Sequence, residues 1–259
     1  MRTLLSTLFW LFVMSTSVVL FVGAVGVWAA TVLFDRRLAL LHRYTSIWAS
    51  LYTLLNPAWP VTVEGQEKID PNTAYVMVAN HLSLLDILVL FRLSTHFKWV
   101  SKAENFKLPF IGWNMSLNRY VKLRRGEKAS VMQMMRACRA HLSAGSSLMI
   151  FPEGTRSPSG KIRRFKSGAF EIAQAAGCPL LPIVLQGTSD ALPKSGFVLQ
   201  GRHHIQVRCL DPIPFESFRD EDIDVLTTRV HDLIAAELEK GAAEPEKSTG
   251  ELEKGAAEA

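Results

Sequence analysis

Cysteine is scarce in this chain of 259 residues: Cys138, Cys178 and Cys209 stand alone and far apart. Their spacing suits neither a disulfide framework nor a zinc knuckle, so reduced thiols are expected, as on the cytosolic side of a membrane. His141, His203, His204 and His231 lack metal-ligand spacing with neighbouring Cys or Asp, and no metal is expected. A complete G-x-S-x-G nucleophile elbow is missing too. The nearest string, Gly187-Thr188-Ser189-Asp190-Ala191, lacks the final glycine, which leaves a serine hydrolase as the weaker reading. Aromatic residues do not interleave with the basic ones, so a nucleic-acid partner is not expected.

Charge is absent from one long stretch, between Arg2 and Asp35. As a single helix this segment would run about 48 Å at ~1.5 Å per residue, more than the ~30 Å of a hydrocarbon core. It must tilt, bend or stop short. Ser15-Thr16-Ser17, Gly23 and Gly26 are candidate bends, so a single span competes with a shallow hairpin, and a cleavable leader is the third reading. Asp35-Arg36-Arg37 and His42-Arg43 place more basic charge after the segment than before it, which by the positive-inside rule leaves the rest of the chain in the cytoplasm. Leu38, Leu41, Tyr44, Trp48, Leu51 and Leu55 then recur at helical spacing. They mark either an interfacial helix or an amphipathic helix packed on the neighbouring domain.

Past Pro57-Ala58-Trp59-Pro60 the pattern becomes short apolar runs alternating with helical stretches. Strands are predicted at 74–79, 147–151, 181–185 and 205–210, and helices at 84–93, 127–142, 167–176 and 220–239. The alternation predicts an α/β fold: a mixed, largely parallel central sheet with covering helices, preceded by an N-terminal membrane-embedded helix or helical hairpin. The tail 241–259 is small and charged, repeats the end of the last helix, and is expected to be disordered. A net charge of +5 suggests anionic partners.

The most specific pattern is Asn80-His81-Leu82-Ser83-Leu84-Leu85-Asp86, directly behind an apolar run. Residues five apart lie about 140° around a helix, so His81 and Asp86 share a face only if one of them sits in a turn. A strand end, a tight turn and a helix capped by Ser83 would let Asp86 reach back to the imidazole. The same residues also fit a capping box, which accounts for the carboxylate without chemistry. A second block, Phe151-Pro152-Glu153-Gly154-Thr155-Arg156-Ser157, stands behind another apolar run, and Pro and Gly force it into a loop. Arg156 brings a fork of donors suited to phosphate, and Thr155 and the loop amides add hydrogen bonds.

Together these blocks resemble the glycerolipid acyltransferase superfamily, within it the bacterial 1-acylglycerol-3-phosphate acyltransferases. The similarity runs from Val61 to Gly187 and includes Lys102, the Val121 to Arg125 block and Leu181-Pro182-Ile183-Val184-Leu185-Gln186-Gly187. The resemblance implies transfer of a fatty acyl group from acyl-CoA or acyl carrier protein to the 2-hydroxyl of lysophosphatidic acid, giving phosphatidic acid. No cofactor is implied beyond the donor, and the partners are membrane lipid, lysophosphatidic acid and that donor. The location implied is a bacterial inner membrane, with the catalytic part in the cytoplasm. Residues 1–56 become the anchoring helices and 57–240 the catalytic domain. His81 and Asp86 are the catalytic pair, a general base and its orienting carboxylate. Lys102, Arg124, Glu153, Gly154, Thr155 and Arg156 are the substrate-binding set. Lys102 instead suits a thioester oxyanion, and Arg124 a solvated basic face. Lys161, Arg163, Arg164 and Lys166 suit an anionic lipid, the phosphates of coenzyme A, or plain surface. Glycerol-3-phosphate or another lysolipid as acceptor, and a non-enzymatic lipid-binding protein, are the competing readings.

Overall fold

The computed structural model describes residues 1–157, 161–194 and 196–243. The first helix, α1 (Arg2–Thr31), is unbroken through every candidate bend, and α2 (Ala39–Leu54) folds back along it. Ser15, Thr16 and Ser17 are tolerated because each hydroxyl donates to a carbonyl one turn earlier, at 2.8, 2.6 and 2.6 Å. The hairpin therefore turns at residues 32–38 and not inside the apolar run. At one end of α2 the Tyr44 hydroxyl donates to the Leu20 carbonyl; at the other the Tyr52 hydroxyl meets Thr16 and Ser17.

Of the predicted stripe, Leu38, Leu41 and Trp48 are buried, Tyr44 and Leu51 are half-buried, and Leu55 is exposed, while Tyr52, outside it, is buried. A different row, Leu40, Ile47 and Leu54, seven residues apart, is exposed. His42 does not join the basic flank expected of it. It is buried, bonded to the Tyr120 hydroxyl at 2.9 Å and the Thr95 carbonyl at 3.1 Å, and burial holds its pKa well below the usual value.

The sheet is built from β1 (Val61–Glu64), β2 (Val76–Ala79), β3 (Phe97–Lys102), β4 (Val121–Leu123), β5 (Ser147–Ile150), β6 (Leu180–Gln186) and β7 (Ile205–Cys209). The helices are α3 (Leu85–Leu90), α4 (Ile111–Leu117), α5 (Lys128–Ser143), α6 (Gly168–Ala176), α7 (Thr188–Ala191) and α8 (Ile223–Ala243). The strand order is β1-β7-β6-β2-β5-β3-β4. β6, β2, β5, β3 and β4 run parallel; β7 is antiparallel to β6 and carries β1 with it. The sheet is thus mixed and largely parallel, as the alternation predicts.

Central β2 and β5 are buried at all four positions, which is why they read as continuous apolar runs. Successive β2 side chains serve opposite faces: Met77 and Ala79 join a core with α3 and residues of the hairpin, while Val76 and Val78 join one with α5, α6 and α8. The α1–α2 hairpin and α8 therefore cover opposite sides of the sheet. The last helix runs on to Ala243, three residues into the predicted tail, and 244–259 lie outside the described residues.

Candidate active site

Because β6, β2, β5, β3 and β4 are parallel, their carboxyl ends share one edge, where sites in α/β sheets form. Asn80 ends β2 by adding a side-chain rung: its amide donates to the Leu185 carbonyl and its Oδ1 accepts from the Leu185 N–H, both at 2.8 Å. The chain then turns, and His81 Nδ1 meets Asp86 Oδ2 at 2.9 Å from the first turn of α3. The same oxygen accepts the N–H groups of Leu82 and Ser83 at 2.7 and 2.8 Å. Capping and imidazole orientation are therefore one carboxylate doing both. Ser83 is not itself the helix cap residue. It precedes Leu84 in that role, accepts the Leu85 N–H at 3.2 Å, and donates to the Leu192 carbonyl.

Asp86 is fully buried, and its second oxygen accepts from the Thr188 hydroxyl at 2.6 Å. Four hydrogen bonds on one carboxylate fix its position and that of the ring it holds. With Nδ1 committed to Asp86, Nε2 is the imidazole nitrogen left to receive a proton. The ring stacks on Phe151 with centroids 3.9 Å apart and planes 9° from parallel, and Trp99 backs Phe151 at 5.4 Å.

The second block grips the first through the backbone. Glu153 Oε1 accepts the His81 N–H at 2.6 Å, and the Ser157 N–H donates to the His81 carbonyl at 3.0 Å. Glu153 Oε2 accepts the Arg163 N–H at 3.0 Å. Glu153 was expected among the substrate contacts; both its oxygens are instead occupied by the protein's own amides. Burial pushes its carboxyl up to about 7, against the lowering pull of those amides. Gly154, at φ +72°, makes the turn that the loop requires.

Thr155 and Arg156 lie half-buried in the same loop. Lys102 ends β3 and is ion-paired with Glu104 at 3.5 Å; exposed Arg124, just past β4, meets Glu127 at 3.8 Å. At ~4.8 Å between neighbouring strands, the β5, β3 and β4 ends stand about 5, 10 and 14 Å from that of β2. Arg156, in the loop after β5, and Lys102, at the end of β3, thus follow strands close to that of His81, and Arg124 follows the farthest. Among the described residues no group of three or more His, Cys, Asp or Glu is arranged to hold a metal.

Thr188 was missed in the sequence, since nothing in its spacing ties it to an aspartate 102 residues away. The string considered for a nucleophile elbow delivers this hydroxyl to Asp86, not Ser189 to a base. Phe151 was visible as part of a motif, but its stacking role was not.

The stretch holding both blocks, residues 60–186, matches the family model described as Acyltransferase. The chain belongs to the acyltransferase family. It is 40% identical over 187 residues to a 1-acyl-sn-glycerol-3-phosphate acyltransferase of Chlamydomonas reinhardtii, covering 71% of this chain and 55% of that protein. It is 34% identical over 209 residues to the chloroplastic enzyme LPAT1 of Arabidopsis thaliana, covering 80% and 57%. The chain thus spans little more than half the length of these curated relatives. The crystal structure of the 1-acyl-sn-glycerophosphate (LPA) acyltransferase PlsC from Thermotoga maritima superposes with a TM-score of 0.76 at 26% identity, covering 95% of this chain and all of that one.

Proposed function

We propose that this protein transfers a fatty acyl group from an acyl thioester to the 2-hydroxyl of 1-acylglycerol-3-phosphate, producing phosphatidic acid. The observation that carries this reading is the joining of the two blocks: the backbone of His81 is held at both ends by the loop that bears Arg156. A base oriented by a buried carboxylate and a phosphate-binding fork thereby lie at one sheet edge. The activities for which the algal, plant and bacterial relatives are named support the same acceptor.

In this mechanism His81 Nε2 removes the proton of the acceptor hydroxyl as its oxygen attacks the thioester carbon. The carbon–sulfur bond then breaks, and the imidazolium returns the proton to the departing thiolate. Asp86 stabilises the imidazolium in between. General-base assistance of this kind contributes roughly 10² to 10⁴ in rate. Arg156, with Lys102, holds the acceptor phosphate so that its hydroxyl faces the base.

The acyl chains place the site at a membrane, and α1 is long and apolar enough to cross one. Yet α1 touches the catalytic domain along its length. The Trp10 indole donates to the Phe197 carbonyl at 2.7 Å, the Leu199 N–H donates to Ser6, and Phe21 packs on Phe110 and Trp113. From Ser6 to Phe21 is about 22 Å of helix at ~1.5 Å per residue. A perpendicular span would drag those parts of the domain into hydrocarbon. The hairpin is therefore read as lying in one leaflet, its exposed row of Leu4, Leu8, Leu11, Val18, Val22 and Val25 toward lipid.

The test supplies detergent-purified protein with a panel of lysolipid and glycerol-3-phosphate acceptors and acyl-CoA or acyl carrier protein donors, identifying products by mass. Phosphatidic acid should form from lysophosphatidic acid, and His81→Ala should lower its rate by about 10² or more with the fold intact. A fully active His81→Ala enzyme would refute the mechanism.

A further inference from the structure

The basic segment after the phosphate loop has no task in the acyl-transfer mechanism. It forms one wall of a cleft of about 1020 Å³, at the large end of the ~300 to 1,000 Å³ of small-molecule sites. Arg163, Arg164 and Lys166 line that wall, and among the described residues none of their side chains is in an ion pair. The other wall is the amino-terminal part of α8. There Thr227 lines the cleft with its hydroxyl oxygen turned into the protein, so the polar groups this wall presents are the carboxylates.

The charges on the two walls differ in sign. Asp224 and Asp232 stand on the α8 wall, the latter bonded to His231 at 2.8 Å. A ligand that carries phosphates at one part and N–H or O–H donors at another satisfies both walls; a simple phosphate satisfies one. The cleft also borders the reaction edge. Glu153 lines it while accepting the His81 N–H, and Lys166 lies against Gly154, its Nζ 3.4 Å from where a Cβ would stand. It opens on the α8 side of the sheet, opposite the hairpin, so its occupant arrives from water and not from the bilayer.

We propose that this cleft seats the phosphorylated nucleotide end of a coenzyme A thioester, with its phosphates on Arg163, Arg164 and Lys166 and its N–H or O–H donors toward Asp224 and Asp232. This deepens the acyl-transfer reading and rests on it.

The experiment uses the full chain in detergent and free coenzyme A as the calorimetric probe. Arg164→Ala/Lys166→Ala should weaken coenzyme A binding by about tenfold or more, the scale of a lost charge-assisted hydrogen bond. The KM for palmitoyl-CoA should rise similarly, while the KM for lysophosphatidic acid and the rate with palmitoyl-pantetheine, which lacks the nucleotide, stay as in wild type. Arg164→Glu, a change at an exposed position, should reproduce the loss if the double variant folds poorly. Failure of the wild type to bind coenzyme A would overturn the assignment. So would equal binding by the variants, or a loss confined to vesicles containing phosphatidylglycerol. A wild type that binds through Arg164 yet makes no phosphatidic acid would support the cleft and sink the transfer reading.

Discussion

The backbone N–H of His81 donates to the carboxylate of Glu153, 72 residues away, at 2.6 Å. This bond makes one rigid unit of two loops, because the same carboxylate also holds Arg163 and the Ser157 amide holds the His81 carbonyl. A charged residue in a loop at a sheet edge invites a role with substrate. Here its work is to set where the imidazole stands.

Glu153→Gln tests that role. The amide oxygen can accept from only one of the two backbone N–H groups, and the NH₂ then faces the other, at a cost of about 1 to 3 kcal/mol. The kcat should fall by roughly tenfold to a hundredfold through misplacement of the ring. Stability adds a signed test. With its carboxyl raised from 4.5 to about 7 by burial, the folded protein keeps a proton that the unfolded chain loses between those values. The stabilisation is complete below about 4.5 and gone above about 7. Melting curves of wild type and variant should therefore draw together as pH rises through that window; a gap that widens would contradict the assignment.

Thr188→Val removes the one donor to Asp86 Oδ1 among the described residues. The stranded oxygen should lower stability by about 1 to 3 kcal/mol. With the carboxylate less firmly held, kcat should drop about tenfold while both KM values stay within about twofold, since Thr188 acts through Asp86 and not on substrate. Thr188→Ser should restore the rate, and failure of that rescue would point to packing instead of the hydroxyl.

Much of this was legible in the chain. The buried strands β2, β5 and β6 are apolar runs because both their faces are covered, and the helix period of α5, α6 and α8 is plain for the converse reason. β1, β3 and β4 were not predicted. In β3, Phe97-Lys98-Trp99-Val100-Ser101-Lys102 mixes charge with aromatics because Lys98 is buried and bonded to the Asn118 carbonyl, a tertiary solution that no local pattern announces. The contact of His81 with Asp86 was legible because residues five apart share a face only through a turn. Glu153 was found for its motif, yet its amide partners, like Thr188, belong to contacts set by the sheet order.

Arg156→Lys replaces a planar fork by a point charge. If Arg156 holds the acceptor phosphate, the KM for lysophosphatidic acid should rise about tenfold and the KM for the donor should change less than about twofold. Steady-state kinetics with each substrate varied in turn will separate the two. An equal rise in both would move Arg156 from acceptor binding to maintenance of the loop.

The hairpin offers a contrast between two kinds of apolar contact. A side chain at Gly23 would collide with the Tyr44 hydroxyl, which now donates to the Leu20 carbonyl at 3.0 Å. Gly23→Ala should therefore swing Tyr44 away and lower stability by about 1 kcal/mol or more, the worth of the hydrogen bond. Ile47 and Leu54 lie on the exposed row of α2 and touch no core. Ile47→Asp/Leu54→Asp should leave the melting temperature nearly unchanged and weaken vesicle binding by roughly a hundredfold, since each aliphatic side chain is worth about 1.5 to 3 kcal/mol on entering an apolar phase. Flotation with liposomes reads the second effect and thermal melts the first. If the double aspartate variant floats like wild type, this face of α2 does not meet lipid, and the membrane contact must rest on α1 alone.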